Sequence, residues 1–361
     1  MRRQYGRVAA RQLGLSLVEL MVASALGLIL MAGLVQIFVA SKQSFVLSQG
    51  LANVQESGRQ GAMILAREIR NADYWGCISR VSSVQNNLNP GSAGSILDFS
   101  RGLEIYVDTD SNNAIVDGSH VIVMRGVTGD PVVTVEKVPA ADSASLHVTD
   151  ASQFDVGDVL LVSDCEDATI FQVSKANENG NDLVVHNTGG QMVPGNAVKS
   201  MQKKYTNNAK VFRPTMVRYS IQMDDAGQRS LVLERALTAN NTGGDATTVG
   251  DPVELVAEIR DMRTLLGVDT DDDGNVDVWR EPPAPTDADA AEVLAQTLSV
   301  KVSLLARSRD DNVNDGAVPY CFPGWLDCAD AATGLQTPAD SGLYRAYTFT
   351  STIRNRIGSN G

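Results

Sequence analysis

From Leu15 to Ala40 the chain holds a single ionisable side chain, Glu19, inside an otherwise unbroken apolar run. As a helix this run of about 26 residues extends roughly 39 Å, more than the roughly 30 Å hydrocarbon core of a bilayer. Four arginines, Arg2, Arg3, Arg7 and Arg11, precede it without a compensating acid. That asymmetry predicts a cytoplasmic N-terminus and a body carried across the membrane. An ordinary secretory signal fits poorly, because apolar sequence continues well past the small residues Ala23-Ser24-Ala25. A plain membrane anchor fits the length but leaves Glu19 without a reason, since a carboxylate in a bilayer is retained at a cost of several kcal/mol.

The apolar pattern continues beyond the span. Leu47, Leu51, Val54, Leu65 and Ile69 keep one stripe on a 3.6-residue period, and no proline occurs before Pro90. The spacing predicts one helix from about Ser16 to about Ala72; a pair of helices hinged near Ser48-Gln49-Gly50 is the alternative. After Cys77 the texture changes to short β-prone runs punctuated by Gly, Asn and Asp. These include Leu103–Val107, His120–Arg125, Val159–Ser163, Met216–Met223, Leu231–Arg235, Leu298–Ala306 and Tyr344–Ile353. One long helix followed by many strands predicts an α+β fold, with the helix packed on a mostly antiparallel β-sheet head. Pro282 to Asp289 reads as a mobile loop.

Charge and motif content narrow the functions. Basic residues number 30 and acidic residues 43, a net of −13. With the four leader arginines set aside the remainder stands at −17, a charge that repels phosphate backbones and argues against nucleic-acid binding. There is no nucleophile elbow, phosphate-binding loop, zinc-protease helix or dinucleotide fingerprint, so nothing supports an enzyme. The three histidines, His120, His147 and His186, are widely separated and offer no zinc spacing. Tyr74 and Trp75 read as packing residues rather than a substrate platform.

Two constellations stand out in the body. Asp269, Asp271, Asp273 and Asp277 occupy positions 1, 3, 5 and 9 of a calcium-type loop, with Gly274 at the turn and Asn275 offering its backbone carbonyl. A cation there would relieve repulsion among the carboxylates, although Arg280 stands where the bidentate glutamate belongs, with Glu281 next to it. A solvated acidic turn is the competing reading, and no cofactor is required. The four cysteines suit two disulfides if the body lies outside the inner membrane. Cys321–Cys328 is expected as a local closure and Cys77–Cys165 by elimination. Four cysteines allow three pairings, and a pair left reduced in the core is a further alternative.

The stretch Gly14-Leu15-Ser16-Leu17-Val18-Glu19 resembles the prepilin signal shared by type IV pilins and type II secretion pseudopilins. That resemblance implies cleavage after Gly14 by a prepilin peptidase and N-methylation of Leu15, where most members carry phenylalanine. It also implies that Glu19, as the fifth mature residue, meets the N-terminal amine of a neighbouring subunit. Four further stretches are similar to the PilW-type minor pilins of Gram-negative bacteria: ADYWGC (Ala72–Cys77), VSDCEDATIFQV (Val162–Val173), GVDTDDDGNVD (Gly267–Asp277) and FTSTIRNR (Phe349–Arg356). The resemblance implies a type IV pilin-like fold divided into a removed leader (1–14), a transmembrane or filament-core helix (15–40), its amphipathic continuation (41–76) and a periplasmic head (77–361). It further implies a non-enzymatic subunit that helps to prime pilus assembly and sits at or near the pilus tip. Its partners would be other minor and major pilins, met through the helix, together with the peptidase and a candidate tip adhesin. The chain would reside in the inner membrane, single-pass with a cytoplasmic N-terminus and a periplasmic head, and then in the surface pilus. A type II secretion minor pseudopilin, or a head acting mainly as an adhesive module, are the alternatives.

Overall fold

The structure, a computed structural model, describes residues 16–76, 78, 84–89, 99, 101–111, 114–127, 129, 131–137, 144–176, 180–189, 194–235, 250–329 and 333–356. A single α-helix, α1, runs unbroken over Leu17–Asn71, 55 residues or roughly 82 Å. Ser16 caps it, its Oγ accepting the Glu19 N–H at 3.2 Å. No hinge interrupts it near Ser48-Gln49-Gly50.

Strands β1 (Val84–Asn86), β2 (Leu103–Val107) and β3 (His120–Val127) follow the helix. Seven short strands come next: β4 (Val133–Lys137), β5 (Ser145–Val148), β6 (Val159–Ser163), β7 (Ala168–Gln172), β8 (Lys175–Ala176), β9 (Leu183–Val185) and β10 (Lys210–Phe212). Then come β11 (Pro214–Met223), β12 (Arg229–Arg235), β13 (Val253–Ala257), β14 (Ile259–Val268) and β15 (Val278–Arg280). A short helix α2 (Ala290–Ala295) leads to β16 (Thr297–Arg307), β17 (Tyr320–Cys321), β18 (Leu335–Gln336) and β19 (Tyr344–Thr352).

These strands build two units. The first is the body around α1, with two antiparallel sheets in the orders β13-β12-β11-β3-β2 and β15-β14-β16-β19. Their inner faces share one core with α1 and α2, including Leu65, Ile69, Ile122, Ile221, Leu231, Met262, Val302 and Leu304. The second unit is a row running β7-β6-β10-β4-β5-β9-β8, with β1 added in parallel beside β7. Only Val173 and Ser174 separate β7 from β8, and both hydrogen-bond onward, Val173 N to Asp158 O and Ser174 N to Val185 O. The row therefore closes on itself as a small barrel. Side chains alternate along its strands: Leu160, Val162 and Phe171 fill the interior with Leu146, Tyr205 and Val211, while Val159, Leu161 and Ile170 face out.

The outward residues meet Trp75, Ile78, Phe99, Val127 and Phe212 in an apolar junction that fixes the barrel to the body. Within the body the two sheets are stitched by Ser119 and His120. Ser119 Oγ accepts the Met262 N–H at 3.2 Å, and His120 Nδ1 accepts the Thr264 N–H at 3.0 Å. Because a backbone N–H occupies Nδ1, the proton of neutral His120 sits on Nε2, which faces Glu281 at 4.0 Å.

Several expectations need correction. Leu47 and Leu51 are exposed, at 44% and 37%, and the row that actually turns inward is Gly50, Val54, Gly58, Gly61, Leu65 and Ile69. Strand β14 escaped the sequence reading because Arg260, Asp261 and Arg263 interrupt its apolar positions, although it lies at the centre of its sheet. By contrast, Pro282 to Asp289 is free of helix and strand, as the sequence predicts, and leads directly into α2 with Asp289 at the N-cap position.

Burial, with the nearby Arg263 charge for His120, lowers the pKa values of His120 and His186 to about 4. The unfolded chain therefore takes up these protons first as pH falls from 6.5, so the stabilisation is complete above 6.5 and is lost progressively towards 4. Thermal unfolding across this range should show a falling midpoint, and a His120→Gln/His186→Phe variant should show a flatter slope between pH 6.5 and 4.

Candidate assembly interface

Helix α1 has two halves with different surroundings. From Leu17 to Ala40 it is bare, with Leu28 at 72% and Phe38 at 70% exposure, and Phe45 beyond this run is still 66% exposed. This run is long and apolar enough to cross a membrane, and it projects roughly 36 Å beyond the head. Glu19 lies in its first turn. A Ser-x-x-Glu start can form a reciprocal capping box, but only the serine half exists here. Among the described residues the Glu19 carboxylate has no partner. Gly14 and Leu15 lie outside the described residues.

The other half, from Gly50 onward, is seated on β16 and β19. A Cβ at Gly58 would fall inside the Tyr347 ring, and one at Gly61 would stand 2.9 Å from Leu304 Cδ1. Glycine at these positions lets the helix backbone touch the sheet's side chains directly. Gly50 meets Val313 in the same way, and Gln43 reaches Asp315 below it, so the head grips the helix down to the end of the apolar run.

A latch closes the far end of this contact. The last carbonyls of a helix lack intrahelical donors, and Asn355 Nδ2 donates to Asn71 O and Ala72 O at 3.3 and 2.9 Å. Ser351 Oγ donates to Ala66 O at 2.8 Å. Asp73, buried and at φ +61°, accepts the Trp75 indole N–H at 2.7 Å and pairs with Arg356 Nε at 2.6 Å. Gly102 is required beside it, because a Cβ there would overlap the carboxylate. The stretches ADYWGC and FTSTIRNR thus form two sides of one buried ion pair. Neither Asp73 nor Arg356 was singled out from sequence, since only contact across the fold reveals the pairing. Trp75 is fully buried and Tyr74 is 39% exposed, in keeping with packing roles.

The acidic loop is arranged around its own backbone. Asp269, Asp271 and Asp273 offer oxygens within 4.8 Å of one another. Asp269 accepts the Gly274 N–H at 2.8 Å, and Gly274 takes φ +86° to make the turn. Asp277 is turned to Thr270, accepting from its N–H and its hydroxyl at 2.7 Å, which lowers its pKa. Repulsion, chiefly from Asp273 and then Asp277, raises that of Asp271. Asn275 donates from its backbone to Asp273 at 2.8 Å. Beyond the loop, Arg280 pairs with Asp289 and Glu281 faces His120, so no carboxylate takes the twelfth position. Cys321 and Cys328 are joined in a disulfide. Cys165 is disulfide-bonded too; Cys77 lies outside the described residues.

A membrane-length bare helix that continues into a β-rich head is the plan of a type IV pilin. Residues 9–35 match the prokaryotic N-terminal methylation motif, which places the chain in that class. Residues 218–355 match the family described as Type IV Pilus-assembly protein W. Over these two segments the chain is similar to PilW-type type IV pilins, a family of structural rather than enzymatic components of the pilus system. Among solved structures it is similar to a type IV-like pilin from Thermus thermophilus, at 10% identity over 85% of this chain and 97% of that one, with a TM-score of 0.30. No curated protein matches the chain.

The close helix–sheet contact gives a test with an internal control. Gly58→Ala should lower stability by about 1–3 kcal/mol through overpacking against Tyr347, despite alanine's better helix propensity. Gly33→Ala, at a position with nothing within 4 Å, should not destabilise. Adding Tyr347→Ala should suppress the Gly58→Ala defect in thermal unfolding.

Proposed function

We propose that this chain is cut between Gly14 and Leu15, N-methylated on Leu15, and held in a filament by Glu19 pairing with the N-terminal amine of a neighbouring subunit. It takes part in priming type IV pilus assembly, with other minor and major pilins as partners, and enters the pilus at or near its tip. Before assembly it rests in the inner membrane with its head on the periplasmic side; afterwards it lies in the surface pilus, within reach of a tip adhesin.

The observation that carries this reading is the bare apolar run of α1 from Leu17 to Ala40, whose one carboxylate, Glu19, has no partner among the described residues. A carboxylate and an amine each lose hydration in a low-dielectric surround, and each recovers most by meeting the other. Glu19→Ala should leave membrane insertion unchanged while lowering incorporation into sheared pili at least about tenfold, a difference of ~1.4 kcal/mol. Normal incorporation would overturn the reading. Intact piliation with lost enzyme secretion in a deletion strain would favour the type II secretion alternative.

The acidic loop is a second feature of the same head, where we propose calcium held by Asp269, Asp271 and Asp273. The convergence of three carboxylates supports it, while the engagement of Asp277 with Thr270 and the lack of a twelfth ligand limit it to a weak site. Calorimetric titration should give binding heat and a raised unfolding midpoint, both abolished by Asp271→Asn/Asp273→Asn. No heat and no stabilisation would leave the loop a solvated turn.

A further inference from the structure

Between the last turns of α1 and the inner face of the sheet β13-β12-β11-β3-β2 lies a pocket of about 330 Å³. That volume falls within the range of small-ligand sites. Its floor is apolar: Met124, Val217, Leu233 and Leu255 come from four neighbouring strands, and Ile64 meets them from the helix.

The charged groups lining the pocket are paired, with one exception. Arg67 pairs with Glu68 at 2.7 Å, Arg125 with Glu104 at 2.8 Å, and Asp73 with Arg356 at 2.6 Å. Arg235 makes no ion pair among the described residues. It lies opposite Val217 in the sheet, on the face of β12 that carries Leu231 and Leu233, and so lines the pocket beside the helix end. Tyr219 stands next to it in the register, only 3% exposed, and its hydroxyl has no hydrogen bond among the described residues. A phenol this deeply buried ordinarily has a partner. Burial raises the Tyr219 pKa, and the charges of Glu68, Arg235 and Arg67 all reach its hydroxyl, which remains a donor.

We propose that this pocket binds a small aliphatic monocarboxylate, its acid group held between Tyr219 and Arg235 and its chain laid on the apolar floor. A carboxylate offers two coplanar oxygens, one for the phenol O–H and one for the guanidinium fork. A phosphate would set nearly two negative charges against a single uncompensated cation, with Glu68 close by. A neutral alcohol would leave the guanidinium unanswered, and an amine would be repelled by it. The pocket lies roughly 70 Å along α1 from Glu19, so a free acid fits the position and a lipid held in a bilayer around the apolar run does not.

Equilibrium dialysis of radiolabelled hexanoate against the detergent-solubilised full-length chain tests this, with protein-free micelles as the blank. One saturable site per chain is expected, displaced by unlabelled hexanoate but not by hexanol or inorganic phosphate. Arg235 is exposed, so Arg235→Gln should keep the unfolding midpoint while weakening binding at least about tenfold. Tyr219→Phe, which removes only the hydroxyl, should weaken it by about tenfold as well. Absence of a saturable site, or unchanged binding by Arg235→Gln, overturns the proposal. Displacement by hexanol or phosphate as readily as by hexanoate overturns it too. A glutamate tetrapeptide with blocked termini that displaces hexanoate at lower concentration than unlabelled hexanoate does would assign the pocket to a partner's acidic side chain, and would overturn the small-acid reading.

Discussion

The contact between the backbone of α1 and the sheet formed by β14, β16 and β19 is the constraint on which the rest of the structure depends. Gly58 and Gly61 bring the helix against Tyr347 and Leu304 with no Cβ between them. Close packing of this kind makes the helix one layer of the core rather than an appendage to it. It also fixes how much of α1 is left over. The head covers the helix from Gly50 onward and leaves the apolar half to find its cover elsewhere, in a bilayer or among other helices. The division between a satisfied half and an unsatisfied half is the physical basis of the proposed assembly.

The buried pair Asp73–Arg356 completes the arrangement at the other end. Ion pairs this deep gain little net stability over well-packed apolar residues, but losing one partner costs roughly 3–5 kcal/mol. Here the pair joins the helix terminus, the final strand's extension and the tryptophan on which the barrel sits. Two parts of the chain 283 residues apart, the helix end with Trp75 and the segment after the final strand, are held by one carboxylate. Asp73 accepts an uncommon backbone conformation to reach that position, which aspartate tolerates better than most residues.

Much of this was legible in the sequence, and the limits are instructive. The helix from Leu17 to Asn71 could be read because its periodicity and its lack of proline are local signals. Residues 9–35 carry the methylation motif in a short contiguous stretch, so the class of protein could be read too. The buried face was misread at Leu47 and Leu51 because a hydrophobicity pattern gives no weight to glycine, the residue that permits the closest approach. Strand β14 was hidden by charged residues whose partners, such as Asp261 for Arg263, appear only when the strand is folded. The barrel left no mark as a unit, since its closure depends on β8 pairing with β9 across the row. In the acidic loop the spacing predicted four converging carboxylates, and a nearby threonine engages one of them.

Cleavage after Gly14, as proposed, would expose an amine four residues before Glu19. The most direct measurement is mass spectrometry of the chain recovered from purified pili. An N-terminal peptide beginning at N-methylated Leu15 is the predicted result. A chain that retains Met1, or one that begins downstream near Ala25, would contradict it.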